Sequence, residues 1–175
     1  MSAAKPVELN IAHIIEVLNR HEVEYVVIGG AAAEVWAASV GISVRPTLDI
    51  DFTPNNSREN LDRLSSALEE LGANIRTSDA PTGLAFSHDG ESLGRSLVWN
   101  LICSAGPFDL SFIPSGTEGY SDLARRARLV LVQGLETPLT ALEDIVRSKR
   151  AANRPKDIEM LPFLEEALRR MQRSQ

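Results

Sequence analysis

The chain has 175 residues, 43% hydrophobic and 24% charged, the make-up of one soluble globular domain of ordinary size with a real core. A net charge of −6 argues against a surface coated for nucleic acid, the single Cys103 excludes a disulfide framework, and no apolar stretch approaches a membrane span. Met1–Leu9 lacks the apolar stretch of a secretory leader, so the expected home is the reducing cytoplasm.

Ile11, Ile14, Ile15 and Leu18 recur at helical spacing, which predicts an amphipathic helix over 7–20. Tyr25-Val26-Val27-Ile28 reads as a buried strand stopped by a tight turn at Gly29-Gly30, with a helix over 31–39 and a loop over 41–46. Residues 47–53 predict a second strand. Asn56 and Glu59 resemble a capping box for a helix whose stripe is Leu61, Leu64, Leu68 and Leu71 and whose C-cap is Gly72. Strands are expected over 73–77, 83–87, 95–103, 107–113 and 128–136, with a short helix over 120–126. Thr140 and Glu143 read as a second capping box for a helix to about Ala152. After Asn153-Arg154-Pro155 a last helix is expected, kinked or split at Pro162. No linker or internal repeat divides the chain.

The charge is uneven along this order. Residues 1–119 carry 7 Lys/Arg against 16 Asp/Glu, a balance of −9; residues 120–175 carry 11 against 8, a balance of +3. The basic part either faces phosphate or presents the solvated faces of C-terminal helices.

The chemistry concentrates in three segments. In Arg45-Pro46-Thr47-Leu48-Asp49-Ile50-Asp51-Phe52, strand alternation puts Thr47, Asp49 and Asp51 on one face and Leu48, Ile50 and Phe52 on the core face. Two carboxylates about 7 Å apart along a strand repel unless a cation lies between them, and a hard divalent ion suits their oxygens. A solvated acidic strand face is the plainer alternative. Upstream, Gly29-Gly30 at a strand-to-helix turn lets a ligand approach the backbone, where the first amides of a helix can hold a phosphate. Downstream, Phe108-Asp109-Leu110-Ser111-Phe112 sets a carboxylate inside an apolar strand, which calls for a partner or a wet edge.

In that order the three segments resemble the signature of the DNA polymerase β-like nucleotidyltransferase superfamily: Ile28-Gly29-Gly30, then Leu48-Asp49-Ile50-Asp51-Phe52, then Phe108-Asp109-Leu110. The wider Arg45–Phe52 segment and the run Ser148-Lys149-Arg150-Ala151-Ala152-x-Arg154-Pro155-Lys156-Asp157 look most like its small bacterial branch of AbiEii/MenT-type toxin nucleotidyltransferases. The resemblance spans about residues 23–165. It implies an α/β (α+β) nucleotidyltransferase fold, a mixed twisted sheet flanked by helices and followed by C-terminal helices. The whole chain, 1–175, would form a single domain with a core over about 23–137 and a helical part over about 138–175.

The same resemblance implies an enzyme that transfers a nucleotidyl group from ATP or another NTP to an acceptor hydroxyl on RNA, a tRNA end or a protein, as the toxin of a toxin–antitoxin pair. Asp49, Asp51 and Asp109 would be the catalytic and metal-binding residues, holding Mg²⁺ or Mn²⁺, with Asp109 on the attacking side. Gly29, Gly30, Arg45 and Lys149 would bind the nucleotide. Lys149 falls on or beside the core-facing stripe of its helix with Leu142, Ile145 and Val146, so its ammonium either snorkels to water or reaches a phosphate. Arg45 either binds the nucleotide or pairs with a carboxylate. Asp157 either positions Lys149 or serves as helix-start chemistry after Pro155. His13, His21 and His88 show no ligand spacing, and Trp36 and Trp99 read as core or cleft wall. The competing expectation is a catalytically silent nucleotide- or protein-binding module of the same fold.

Overall fold

The computed structural model describes residues 7–175, so the residues before Val7, including most of the segment read for a leader, lie outside the description. The elements in chain order are α1 (Ile11–Arg20), β1 (Tyr25–Ile28), α2 (Gly29–Ser39), β2 (Ile50–Pro54), α3 (Arg58–Leu71), β3 (Asn74–Ile75), α4 (Gly90–Leu93), β4 (Val98–Cys103), β5 (Gly106–Ser111), α5 (Tyr120–Ala124), β6 (Arg128–Val132), β7 (Leu135–Leu139), α6 (Leu142–Ala152) and α7 (Pro155–Arg173). The seven strands form one mixed sheet in the order β3-β4-β5-β2-β1-β7-β6. β2 runs antiparallel to β1 and parallel to β5, while β1 and β7 are parallel. Helices α1 and α3 pack on each other, and α2 packs against α6 and α7.

The core follows from the apolar pattern. Phe52 of β2 meets Tyr25 of β1 edge-on at 5.4 Å and Phe108 of β5 at 6.4 Å. Leu61, Leu64, Leu68 and Leu71 bury the predicted stripe of α3, and Gly72 ends that helix in the left-handed region, φ +62°. One hydrophobic cluster runs from Ile14 to Leu164 and Ala167, so the C-terminal helix shares the core of the sheet. Among the described residues no helix is long and apolar enough to cross a membrane.

Several expectations change. α1 starts at Ile11 because the Asn10 side chain accepts from the His13 amide. The cap of α3 is Ser57, whose hydroxyl accepts from the Asn60 amide at 3.3 Å; Asn56 has no part in it. Ser57→Ala is expected to lower stability by about 1 kcal/mol in a denaturant titration, leaving any substrate binding unchanged. Thr140 does not cap α6 either. Its amide donates to the Val27 carbonyl, which keeps it in the sheet, and Ala141 takes the cap position without a side-chain bond.

The expected strand over 128–136 is a hairpin, β6 and β7, turned by Gln133 and Gly134, both at positive φ (51° and 82°). The expected strand over 83–87 reduces to one bridge between Leu84 and Ile75. α7 contains Pro162 without being split.

Candidate active site

β2 begins at Ile50, so Asp49 belongs to the bend that leads into the strand. Leu48 is accordingly 82% exposed and does not share the core face of Ile50 and Phe52, against the alternation read from sequence. The bend is held from two sides. The Thr47 hydroxyl donates to the Asp49 carbonyl at 2.7 Å and lies 3.3 Å from the Asp49 carboxylate, and the Thr47 amide donates to Glu34 of α2 at 3.3 Å. Neither Thr47 nor Glu34 was singled out for this role in the sequence, because the pairing is visible only once α2 lies beside the loop.

The sheet register brings the third carboxylate in. Asp51 stands opposite Asp109 across the parallel β2–β5 pair, and Asp109 stands opposite Asn100 across β5–β4. Neighbours in register point to the same face. Asp49, Asp51 and Asp109 thus each offer one carboxylate oxygen, and these oxygens lie within 4.8 Å of one another. That separation is shorter than the roughly 7 Å that strand rise alone gives, because Asp49 turns inward from the bend.

Burial, then the charges of Asp49 and Asp109, push the Asp51 carboxyl up to about 7, with Lys156 opposing. Burial also raises Asp109, opposed by the guanidinium of Arg76, whose Nη2 lies 2.7 Å from Asp109 Oδ1. The half-buried carboxylates repel one another, their oxygens converge, and all are hard donors. The set therefore fits a divalent cation such as Mg²⁺.

Gly29 opens α2 with φ +66°, and a methyl group built on it would collide with Asp51 Oδ2. Only glycine lets β1 turn into the helix while passing this close to a carboxylate. At Gly30 an added methyl would meet the Thr47 hydroxyl at 3.2 Å. The start of α2, where helix amides lack intrahelical partners, therefore lies against the acidic bend.

The basic side comes from the C-terminal helices. Lys149 of α6 is 12% exposed, and its ammonium lies 3.3 Å from Oδ1 of the fully buried Asp157. Asp157 also accepts from Arg154 Nε at 2.7 Å and from the Arg154 amide at 3.2 Å. Asp157 thus does both things read for it, closing the first turn of α7 and holding Lys149. Lys149 and Arg154 keep its carboxyl below the usual range despite burial. Arg154 and Lys156, on either side of Pro155 at the start of α7, line the cleft as well.

Two cavities meet at this centre. One, of about 390 Å³, extends over Asn100, Asp109, Ser111, Ser115, Thr117 and Ser148. The other, of about 510 Å³, extends over Gly30, Arg45, Thr47, Leu48, Met160 and Phe163. Gly29, Asp49, Asp51, Lys149, Arg154 and Lys156 line both. All seven residues singled out from sequence, Gly29, Gly30, Arg45, Asp49, Asp51, Asp109 and Lys149, therefore sit around one cleft.

The fold recurs in solved structures. The lincosamide antibiotic adenylyltransferase LnuA, in its lincomycin-bound form, superposes with a TM-score of 0.58 at 15% identity, covering 91% of this chain and 99% of that one. The ANT(2")-Ia structure in complex with adenylyl-2"-tobramycin gives a TM-score of 0.57 at 16% identity, covering 90% and 87%. The chain has the nucleotidyltransferase fold. No protein-family model matches the sequence, and no curated protein matches it.

Within this nucleotidyltransferase fold the residues that sequence reasoning missed are Thr47, Glu34 and Arg76. Arg76 could not be found from spacing, since its partner Asp109 lies 33 residues away. The histidines stand apart from the cleft's lining: His21 pairs with Glu70, and His88 with Ser65. Trp36 donates to the Thr140 carbonyl, and Trp99 stacks on Phe86.

Proposed function

We propose that the protein is a divalent-cation-dependent nucleotidyltransferase that moves a nucleotidyl group from an NTP to an acceptor hydroxyl, with Asp49, Asp51 and Asp109 as its catalytic carboxylates. The convergence of these three carboxylates to within 4.8 Å, walled by Lys149, Arg154 and Lys156, is the observation that carries this reading. The functional unit is the whole chain, because the core over about 23–137 supplies the carboxylates and the helical part over about 138–175 supplies the cations.

The larger cavity takes the NTP. There the start of α2 at Gly29 and Gly30 meets the triphosphate, and Arg45, Lys149, Arg154 and Lys156 balance its charge. The acceptor enters on the Asp109 side. Asp49, Asp51 and Asp109 would hold Mg²⁺ or Mn²⁺, which supplies charge neutralisation at the triphosphate and at the attacking oxygen. Asp109 accepts the proton of the acceptor hydroxyl. The acceptor oxygen bonds to the α-phosphorus as the bond to the β-phosphate oxygen breaks, and pyrophosphate leaves against the Lys149–Arg154–Lys156 wall.

The acceptor we favour is RNA, in particular a tRNA end, or a protein side chain, with the chain acting as the toxin of a pair and an antitoxin as its partner. Support comes from the toxin-like run Ser148–Asp157, which supplies the cationic wall. A small-molecule acceptor is the second reading. Two structural neighbours are an antibiotic adenylyltransferase with lincomycin bound and ANT(2")-Ia with adenylyl-2"-tobramycin, and a cavity of about 390 Å³ suits a compact ligand.

Calorimetry with each of the four NTPs, with and without Mg²⁺, tests the proposal. Mg²⁺-dependent binding of at least one NTP by the wild type is expected. Absence of binding under every condition would overturn it in favour of a silent module of the same fold.

A further inference from the structure

Arg76 occupies the carboxylate centre in a way that nothing in the proposed transfer requires. Its position is set by the sheet. β3 is a two-residue edge strand, and just beyond it the Arg76 amide donates to the Asn100 carbonyl at 2.9 Å. Asn100, Asp109 and Asp51 then follow in register across β4, β5 and β2. The guanidinium spans this row, with Nη2 at 2.7 Å from Asp109 Oδ1 and Nη1 at 3.9 Å from Asp49 Oδ2. A single fixed cation thus touches two of the three carboxylates. The side chains are 31%, 19% and 37% exposed respectively, so water screens the contacts only in part.

We infer that Arg76 is a built-in counter-ion which competes with the divalent cation for Asp49 and Asp109, so that the cation binds weakly alone and binds well only together with the nucleotide. This rests on reading the three aspartates as cation ligands. The physical ground is Coulombic. A divalent ion among these oxygens lies within a few ångströms of the guanidinium, and like charges at that range in a half-buried site repel strongly. A triphosphate changes the balance by adding its own oxygens and negative charge around the ion, which offsets the repulsion from the guanidinium. Any motion falls to the side chain, since the backbone at Ile75 and the Arg76 amide is held by the Arg76–Asn100 bond and the paired Ile75–Leu84 bonds. Arg76 is therefore a positioning residue that couples two binding events.

The test is titration of Mn²⁺, followed by electron spin resonance, into wild type, Arg76→Met, Arg76→Gln and Arg76→Lys, each without nucleotide and with saturating ATP or the NTP that binds. Melting curves establish that each variant is folded, and the Met and Gln variants back each other up. Without nucleotide, Arg76→Met and Arg76→Gln should bind Mn²⁺ at least tenfold more tightly than wild type, with Arg76→Lys close to wild type. The enhancement of Mn²⁺ binding by nucleotide should shrink in the same two variants, and the enhancement of nucleotide binding by Mn²⁺ should shrink equally, as linkage requires. Unchanged or weaker binding in the neutral variants, beside a wild type that binds Mn²⁺ with nucleotide, overturns this inference alone. No Mn²⁺ binding by any form, with or without nucleotide, overturns the proposed function together with it.

Discussion

Asp51→Asn is expected to abolish nucleotidyl transfer while making the cation-free protein more stable above neutral pH. The loss follows from removing a charged ligand from a centre whose task is to neutralise charge, an effect of several kcal/mol, or roughly a thousandfold or more in kcat. The gain follows from the electrostatics of the carboxylate centre itself. Burial and two neighbouring carboxylates hold the Asp51 carboxyl at about 7, against about 4 in the unfolded chain.

Between those values the folded state keeps a proton that the unfolded state has released, so raising the pH lowers stability. The cost is absent below about pH 4, grows through the window and is complete above about pH 7. Asparagine carries no such cost. The melting temperatures of wild type and variant should coincide near pH 4 and separate in favour of the variant by pH 8, by on the order of 1–3 kcal/mol in stability. Mg²⁺ with nucleotide should close the gap by stabilising only the wild type. A variant that melts lower than wild type at pH 8, or that keeps turnover, would refute the assignment.

Gly29→Ala should be the second most damaging single change, and for a different reason. Its φ of +66° costs an alanine about 1–2 kcal/mol, and the new methyl group drives into Asp51 Oδ2. Displacing that carboxylate by about 1 Å is enough to lower kcat by roughly a hundredfold. Two other glycine substitutions separate the causes. Gly72→Ala meets the same backbone strain, φ +62°, with nothing within 4 Å of the added carbon. It should lose stability by about 1 kcal/mol and no activity. Gly30→Ala, which meets only the Thr47 hydroxyl at 3.2 Å, should fall between. Equal activity in the Gly29 and Gly72 variants, measured as initial rates on folded protein, would mean that proximity to Asp51 is unimportant.

The order of loss tells which parts of the molecule the amino-acid sequence made legible. β1, the leucine stripe of α3 and the apolar neighbours of Asp109 were legible because each is a local pattern matched to one face of one element. The residues proposed for the site could be picked out because they stand in or beside such elements. What failed was non-local or unpatterned. Alternation carried through 47–49 assigned Leu48 to the core, but the strand starts at Ile50, and the Thr47–Glu34 contact bends the chain before it. Arg76 looked like any polar residue inside the strand expected over 73–77, which the structure shortens to Asn74–Ile75, until β4 carried its carbonyl partner Asn100 beside it. The turn at Gln133-Gly134 was missed because glutamine rarely takes positive φ, whereas asparagine there would have signalled a hairpin. Capping boxes were overcalled at Asn56 and Thr140, since the same residue types also serve in sheets and loops.

The shared wall of the two cavities carries a kinetic corollary. Six residues line both spaces, so under the proposed function donor and acceptor would meet directly across Asp49 and Asp51. The lone thiol, Cys103, is buried and lines neither space. Direct transfer is therefore the expected course of the proposed reaction, with no nucleotidylated form of the protein on the route. Double-reciprocal plots at varied donor and acceptor should intersect, and the configuration at a chiral α-thiophosphorus should invert in a single displacement.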